Sequence, residues 1–279
     1  MSNFIMDGLL IRSELPMTTY STLTPNEIRE LIRKQDITGP TSGMSIGYTQ
    51  ANLVILKKEH AFDFLLFCQR NPKQCPLLDV TEPGSFIPST IAKNADIRKD
   101  IPKYRIYRAG VFTEEVLDIT EYWEDDMVGF SIGCSFTFET PLLEAGIPIR
   151  HIQENCNVPM YKTNIQCEKA GMFEGPTVVS MRPMTPEDAI RAIQITSRFP
   201  NVHGAPIHIG SPERIGITDI SKPDFGDAVS IKPGEIPVFW ACGVTPQAVA
   251  MESKPAIMIT HAPGHMLITD IKETSLSIL

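Results

Sequence analysis

Apolar residues along the chain fall into short runs separated by prolines and turn-forming residues. The runs 128–134 (VGFSIGC) and 236–243 (IPVFWACG) are apolar without alternation, which is typical of strands buried on both faces. Such strands predict a sheet covered by helices, hence an α/β fold. The predicted strands are 51–56, 127–134, 177–181, 236–242 and 256–260.

Three helix starts share one pattern, a threonine followed by proline: Thr24-Pro25, Thr185-Pro186 and Thr245-Pro246. The threonine oxygen can accept an unpaired backbone N–H, and proline loses no hydrogen bond at the first helical position. Glu27 adds a capping box to the first helix. The predicted helices are 24–35, 57–70, 185–198 and 245–252.

The middle of the chain, residues 145–180, is rich in Pro, Asn and Cys and lacks helical periodicity. We expect a smaller, loop-rich α+β lobe or a β excursion there. The whole chain, 1–279, is interpreted as a single unit. A weak boundary near residue 120 divides it into one lobe of 1–120 plus 225–279 and a second lobe of 121–224.

Composition narrows the class of protein. The 279 residues are 42% hydrophobic and 21% charged, with a formal net charge of −8 and no cluster of Lys and Arg, so no nucleic-acid partner is expected. We find neither an apolar run long enough to span a membrane nor a secretory signal. Six cysteines without a CxxC pair then predict reduced thiols in a cytoplasmic protein.

Many ordered segments between residues 40 and 270 resemble one known family, the hydro-lyases related to D-glutamate cyclase, in particular its bacterial single-domain members. The segments that carry the resemblance are 47–53 (GYTQANL), 64–72 (FLLFCQRNP), 75–84 (CPLLDVTEPG), 132–136 (IGCSF), 150–152 (RHI), 157–161 (NVPMY), 197–200 (SRFP), 202–206 (VHGAP), 223–227 (PDFGD), 239–246 (FWACGVTP) and 261–265 (HAPGH). The resemblance implies a two-subdomain mixed α/β fold. It also implies elimination of water, with D-glutamate closing to 5-oxo-D-proline in the best-known relative. It supplies no catalytic residues.

The sharpest chemical candidate is the strand–turn–helix segment Cys242, Gly243, Val244 and Thr245. Backbone N–H groups at a helix start favour a bound carboxylate and lower the pKa of a nearby thiol. Cys134 ends another strand, so the two thiols together would suit an amino-acid racemase. Alternatively, both cysteines are small, inert core residues, because cysteine is among the most buried residue types.

Histidines are the second group of candidates. His261 and His265 flank Ala-Pro-Gly in a loop after the strand 256–260, and His203 lies in a separate His-Gly segment. Histidine titrates nearest neutral pH and can act as a general acid or base. A histidine hydrogen-bonded within a loop is an equally good interpretation, and the spacing matches no zinc motif.

Carboxyl and guanidinium groups complete the set. Asp79 and Glu82 lie at a Thr-Glu-Pro-Gly turn, where either could donate a proton to a leaving hydroxyl or simply stabilise the turn. Arg150, next to His151, could bind a substrate carboxylate through two parallel hydrogen bonds, or form a surface ion pair.

The sequence lacks the glycine patterns that hold nucleotide phosphates, as well as GxSxG and HExxH, so we expect no cofactor and no metal. The leading interpretation is a hydro-lyase acting on a small amino or hydroxy acid. A cysteine-pair racemase or epimerase and a non-catalytic dicarboxylate-binding protein are the alternatives. The expected partner is a small-molecule carboxylate, with neither nucleic acid nor membrane; a homo-oligomer is left open. The pocket is expected where Cys134, Cys242 and the 261–265 loop meet, on the premise that strand ends in α/β sheets share one edge.

Overall fold

A computed structural model describes residues 20–278 and shows a mixed α/β fold with six α-helices and eleven strands in that range. The helices are α1 (Pro25–Arg33), α2 (Lys58–Arg70), α3 (Glu139–Glu144), α4 (Arg150–Gln153), α5 (Pro186–Thr196) and α6 (Thr245–Ser253). The strands are β1 (Tyr48–Lys57), β2 (Leu77–Val80), β3 (Tyr104–Arg108), β4 (Val111–Val116), β5 (Met127–Gly133), β6 (Met160–Gln166), β7 (Pro176–Met184), β8 (His208–Ile209), β9 (Ile236–Ala241), β10 (Ile257–His261) and β11 (Leu267–Lys272).

The strands form two separate sheets. The large sheet has seven strands in the order β2-β5-β1-β10-β3-β4, with β11 also paired to β1, and the small sheet has the order β6-β7-β9-β8. Every strand pair within residues 20–278 is antiparallel. The five predicted strands and the four predicted helices are all present. The proposed division into two lobes stays a prediction.

The central strand β1 explains why its sequence is apolar without alternation. Val54 and Leu56 pack on one face of the sheet with two phenylalanines of α2, whereas Leu53 and Ile55 pack on the other face; the two phenylalanines are Phe64 and Phe67. Both faces of the large sheet are therefore covered, as the unbroken apolar runs predict. The strand is apolar throughout because residues pack on both faces of the sheet, and not because its neighbours are parallel.

Two of the three Thr-Pro helix starts have the predicted cap. At α1 the Thr24 oxygen accepts the Glu27 N–H at 3.4 Å, and the Glu27 carboxylate accepts the Thr24 backbone N–H. At α5 the Thr185 oxygen accepts the Asp188 N–H at 3.2 Å. The prediction for α6 is wrong, because Thr245 is already its first residue and Val244 precedes it without a side-chain cap.

Helix α6 connects the two sheets by packing on β7 and on β10. Ala248 belongs to an apolar cluster beside the small sheet, and Val249 and Ala250 belong to the core of the large sheet. No helix within residues 20–278 has both the length and the apolar character needed to cross a bilayer. The strand ends at Cys134, Cys242 and His261 lie around the interface that α6 spans.

Candidate active site

Three strand ends predicted to meet do come together, though for a different reason from the one expected. Strands β5 and β10 flank β1 and both run antiparallel to it, so their carboxyl ends reach the same edge of the large sheet. Asn52 on β1 donates from Nδ2 to the Gly133 carbonyl at 2.8 Å, at the end of β5. Gly243, just after β9, packs directly on the Asn52 amide. We call Asn52, Gly133 and Gly243 the strand-end junction.

Gly243 is required at this junction for packing. A Cβ atom on Gly243 would lie 1.9 Å from Asn52 Nδ2 and 2.6 Å from Asn52 Oδ1. The sequence-based interpretation reserved this space for a ligand approaching the backbone, but the Asn52 side chain fills it. Asn52 Oδ1 is buried and has no hydrogen-bond partner among the described residues.

The thiols of Cys134 and Cys242 lie in one apolar cluster beside the junction. Burial raises the pKa of Cys242 to about 11. The hydrogen bond that the thiol accepts from the Val244 backbone N–H and the charge of Arg182 oppose this effect. Burial likewise raises the pKa of Cys134 far above its ordinary value. Both groups are therefore protonated thiols at neutral pH, and the helix start at α6 does not produce a thiolate.

The histidines of the 261–265 loop are held by backbone groups. His261 Nδ1 lies 3.1 Å from the Leu53 backbone nitrogen and 3.2 Å from the Leu53 carbonyl oxygen, and Nε2 is buried without a partner among the described residues. Burial lowers the pKa of His261 to about 4. His265 Nδ1 donates to the Pro263 carbonyl at 2.9 Å, and burial lowers its pKa as well. His261 is neutral at pH 7 and fully enclosed.

His203 also reaches the junction. Its Nδ1 donates to the Lys73 carbonyl at 2.9 Å, and its Nε2 is buried without a partner. Burial lowers the pKa of His203 to about 4, and the hydrogen bond that Nδ1 donates to the Lys73 carbonyl opposes this effect. The residue has a φ of +80°, a strained conformation for a non-glycine residue.

The start of α6 is occupied by protein groups. The Thr245 hydroxyl accepts the Val178 N–H at 3.0 Å, so it bonds to β7 instead of capping its own helix. Val244, Thr245 and Gln247 are completely buried. Gln247 Nε2 donates to the His261 carbonyl at 2.8 Å and ties α6 to β10.

The remaining sequence-based candidates lie elsewhere and are engaged by neighbours. Asp79 accepts the N–H groups of Val80 and Thr90 at 2.9 and 3.0 Å, which is the turn-stabilising arrangement. Glu82 is exposed in the same turn. Arg150 forms a buried ion pair with Glu235 and donates to Ser230, so its guanidinium faces protein groups.

A buried ionic network next to Cys134 was missed by the sequence analysis. Glu139 Oε1 accepts from Arg182 Nε at 3.0 Å and from Arg182 Nη2, and His151 Nε2 lies 3.3 Å from the same oxygen. Arg182 also donates to the hydroxyls of Ser135 and Ser180. All three charged side chains are at most 4% exposed. The arginine inside the apolar strand β7 was the available signal, because a charge is rarely buried unless it is paired.

Glu139 connects this network to an open cleft of about 320 Å³. The cleft is lined by residues of β1 and α3, of the segments before each of them, of α4, and of the turn after β11, including Tyr48, Phe136, Glu139, Glu144 and Glu273. A second cleft of about 660 Å³ shares Met44 and Ile152 with the first. None of the twelve sequence-based candidates lines either of these two clefts.

Two carboxyl groups of the first cleft, which we call the Glu139 cleft, have opposite protonation states at neutral pH. Burial raises the pKa of Glu273 to about 8, partly offset by a hydrogen bond from Thr140. For Glu139, burial alone would raise the pKa, but electrostatic interactions with His151 and Arg182 and the hydrogen bonds from Arg182 lower it overall. Glu139 is thus a carboxylate at pH 7, and most of Glu273 is a carboxylic acid.

The described part of the chain contains no group of three or more His, Cys, Asp or Glu side chains arranged to hold a metal ion. The carboxyl groups of the Glu139 cleft can accept and donate protons, and Arg182 and His151 favour the ionised form of Glu139.

Comparison with known proteins gives the family. The model of the family described as D-glutamate cyclase matches residues 128–270, just over half of the chain. A protein of Bacillus subtilis named "Putative hydro-lyase YcsI" is 68% identical over 92% of this chain and 100% of its own length. Proteins of Bacillus licheniformis and Geobacillus kaustophilus, also named "Putative hydro-lyase", are 67% and 66% identical over 92% and 94% of this chain and 98% and 100% of theirs. The chain therefore belongs to the D-glutamate cyclase family of hydro-lyases.

Proposed function

We propose that this protein is a hydro-lyase whose substrate is a small carboxylate with an amino or hydroxy group, bound in the Glu139 cleft. D-glutamate, closing to 5-oxo-D-proline with loss of water, is the specific reaction we propose. Family membership supports the reaction class, and the cleft supports the place. We further propose that the reaction takes place in the cytoplasm.

The observation that carries the proposal is the pair Glu139 and Glu273, two carboxyl groups on one cleft in opposite protonation states. Elimination of water needs a proton acceptor for the attacking group and a proton donor for the leaving oxygen. Groups whose environments push their pKa values apart can fill both roles at a single pH. Glu139 is the proposed acceptor and Glu273 the proposed donor.

The atoms balance for cyclisation of D-glutamate. One proton first passes from the substrate ammonium to its side-chain carboxylate, which leaves a neutral amine and a carboxylic acid. The amine nitrogen then attacks the side-chain carboxyl carbon and a C–N bond forms, while Glu139 accepts the second proton from nitrogen. A C–O bond breaks, and the leaving oxygen departs as water after receiving a proton from Glu273. Return of one proton from Glu139 to Glu273 through solvent restores the enzyme.

The charge of the cleft favours an amine over a hydroxyl as the second group of the substrate. Its acidic lining residues are Glu139, Glu144 and Glu273, with no Lys, Arg or His among the lining residues. Glu273 is mostly uncharged at pH 7, so the ionised Glu139, whose charge Arg182 partly offsets, attracts an ammonium group and repels a substrate with carboxylates alone. An amino acid therefore suits the cleft better than a simple dicarboxylate does.

A racemase based on Cys134 and Cys242 has weaker support. The two thiols share an apolar cluster, so they lie in the same region, as a cysteine-pair racemase requires. Their pKa values are raised by burial, however, and a thiol must lose its proton to abstract another.

The test is to incubate the purified protein with D-glutamate, L-glutamate and a panel of small amino and hydroxy acids. Mass spectrometry would detect any product lighter by one water. Glu139→Gln and Glu273→Gln should each lower turnover by at least about 100-fold, the lower range for loss of a general acid or base. Glu213→Gln, a change at an exposed carboxylate, is the matched control.

Other results would point to the alternatives. Ligand-induced stabilisation without any product would indicate a binding protein. Exchange of the α-proton in deuterated water, lost on Cys134→Ser or Cys242→Ser and kept in Glu139→Gln, would indicate a racemase.

A further inference from the structure

His151 lies behind Glu139 as seen from the cleft. Its helix α4 buries the ring to 1% exposure, and the ring stacks on Phe136 with centroids 6.0 Å apart and planes at 26°. Phe136 lines the Glu139 cleft, whereas His151 does not. His151 Nε2 is 3.3 Å from Glu139 Oε1 and makes no well-directed hydrogen bond to any described group.

The two oxygens of Glu139 have different surroundings. Oε1 receives both donors of Arg182 and faces His151. Oε2 has a single long contact, 3.5 Å, from the Ser42 hydroxyl. One oxygen is therefore fixed by the protein, and the other retains the capacity to accept a proton.

We infer that His151 is a positioning residue for the reaction, which fixes Oε1 of Glu139 together with Arg182 so that Oε2 serves as the proton acceptor. The inference rests on the proposed function, in which Glu139 receives a proton from the substrate. His151 does not touch the substrate and acts through Glu139.

Every charged neighbour of Glu139 bears on its protonation. His151 on α4 and Arg182 on β7 favour its ionised form. Glu273, near the carboxyl end of the chain, is coupled to both Glu139 and Glu144, and Cys134 also faces Glu139. Because Glu273 is mostly uncharged at pH 7 and Cys134 fully so, His151 and Arg182 are the neighbouring side chains that most affect the pKa of Glu139.

The test replaces His151 by Gln, which keeps a polar side chain and removes the imidazole ring. Because the interaction with His151 lowers the pKa of Glu139, its loss should raise that pKa by about one unit. Carbon-13 NMR of labelled glutamate carboxyls, with the Glu139 signal assigned by its absence in Glu139→Gln, measures this without substrate. In parallel, the acid limb of the kcat/KM profile should move up by about one pH unit, with activity largely recovered above the limb.

The outcomes separate the two proposals. A raised pKa together with a shifted acid limb supports both. A raised pKa with an unmoved limb overturns the role of Glu139 in the reaction. An unchanged pKa, or a loss of activity that is equal at all pH values, overturns the role of His151. His208→Gln, at a partly exposed histidine bonded only to the Ser211 carbonyl, is the matched control.

A measurement on the unmodified protein covers the case in which His151→Gln does not fold. The ring nitrogen signals of His151, followed by nitrogen-15 NMR across the acid range, should shift with the same midpoint as the Glu139 carboxyl. Independent midpoints would overturn the inference.

Discussion

Asn52 and Gly243 share a volume that only one side chain can fill. The chain puts the side chain on β1, where Asn52 can reach the Gly133 carbonyl, and leaves none on Gly243. Motifs with glycine after a strand are often interpreted as sites of ligand approach. At this junction the neighbour that approaches the glycine is another side chain of the same protein.

Gly243→Ala should therefore destabilise the protein by about 1–3 kcal/mol, the usual cost of overpacking, because its Cβ would overlap the Asn52 amide. Gly39→Ala is the control, since a Cβ there meets nothing within 4 Å, and it should change stability by less than about 1 kcal/mol. Urea unfolding curves measure both. Equal stability of the two variants would contradict the packing assigned to Gly243.

Glu273 should make stability depend on pH. Its pKa rises from an ordinary 4.5 to about 8 on folding, so the native state binds more protons than the unfolded state between these values. Stability from this group is complete below 4.5 and is lost as pH rises through about 8. Relative to Glu273→Gln, the wild-type protein should become progressively less stable across this window in urea unfolding. Glu213→Gln should show no such trend against wild type, and the same flat result for Glu273→Gln would refute the assignment.

At the scale of the elements, five of the eleven strands and four of the six helices were predicted, since strand and helix patterns depend on neighbours along the chain. The predicted strands β1, β5, β7, β9 and β10 are the ones that contain mainly apolar, buried residues. Strand β4 was missed because all but one of its six residues are exposed at the sheet edge, which leaves no apolar signal. Helix α6 was predicted with the wrong cap, because the partner of Thr245 lies on a strand 67 residues away.

The two Thr-Pro helix starts at Thr185 and Thr245 should respond differently to substitution. Thr185→Ala removes a helix cap at an exposed site and should cost about 1 kcal/mol. Thr245→Ala leaves the buried Val178 N–H unpaired and should cost about 1–3 kcal/mol. Thr245→Ser keeps the hydroxyl and is the control for the lost methyl group. Unfolding free energies that ranked Thr185→Ala as the more damaging change would contradict the bond to Val178.

At the scale of the whole molecule, the candidate site was predicted only in part. The meeting of Cys134, Gly243 and His261 was anticipated, because each follows a buried strand. The Glu139 cleft was not, because it depends on the packing of α3 and α4 against β7 and on the return of residue 273 to β1. Contacts over such separations leave no periodic signal in one sequence, and neither does the order of strands in a sheet.

The reactivity of the cysteine thiols can show whether the whole molecule unfolds cooperatively. All six cysteines are free, five are buried, and only Cys156 is partly exposed. A thiol reagent should therefore modify one cysteine quickly in the native protein and all six after unfolding without reductant. The five slow thiols lie in clusters on both sides of α6, with Cys68, Cys75 and Cys167 in the large-sheet core and Cys134 and Cys242 beside the small sheet. If the two sheets unfold as one cooperative unit, low denaturant should raise all five rates together. Faster reaction of Cys134 and Cys242 alone would show that the interface around α6 opens separately.

The control for the fast phase is Cys156→Ser, which should remove that phase and leave the slow phases unchanged. Fewer than six reactive thiols after unfolding would contradict the assignment of all six cysteines as free thiols.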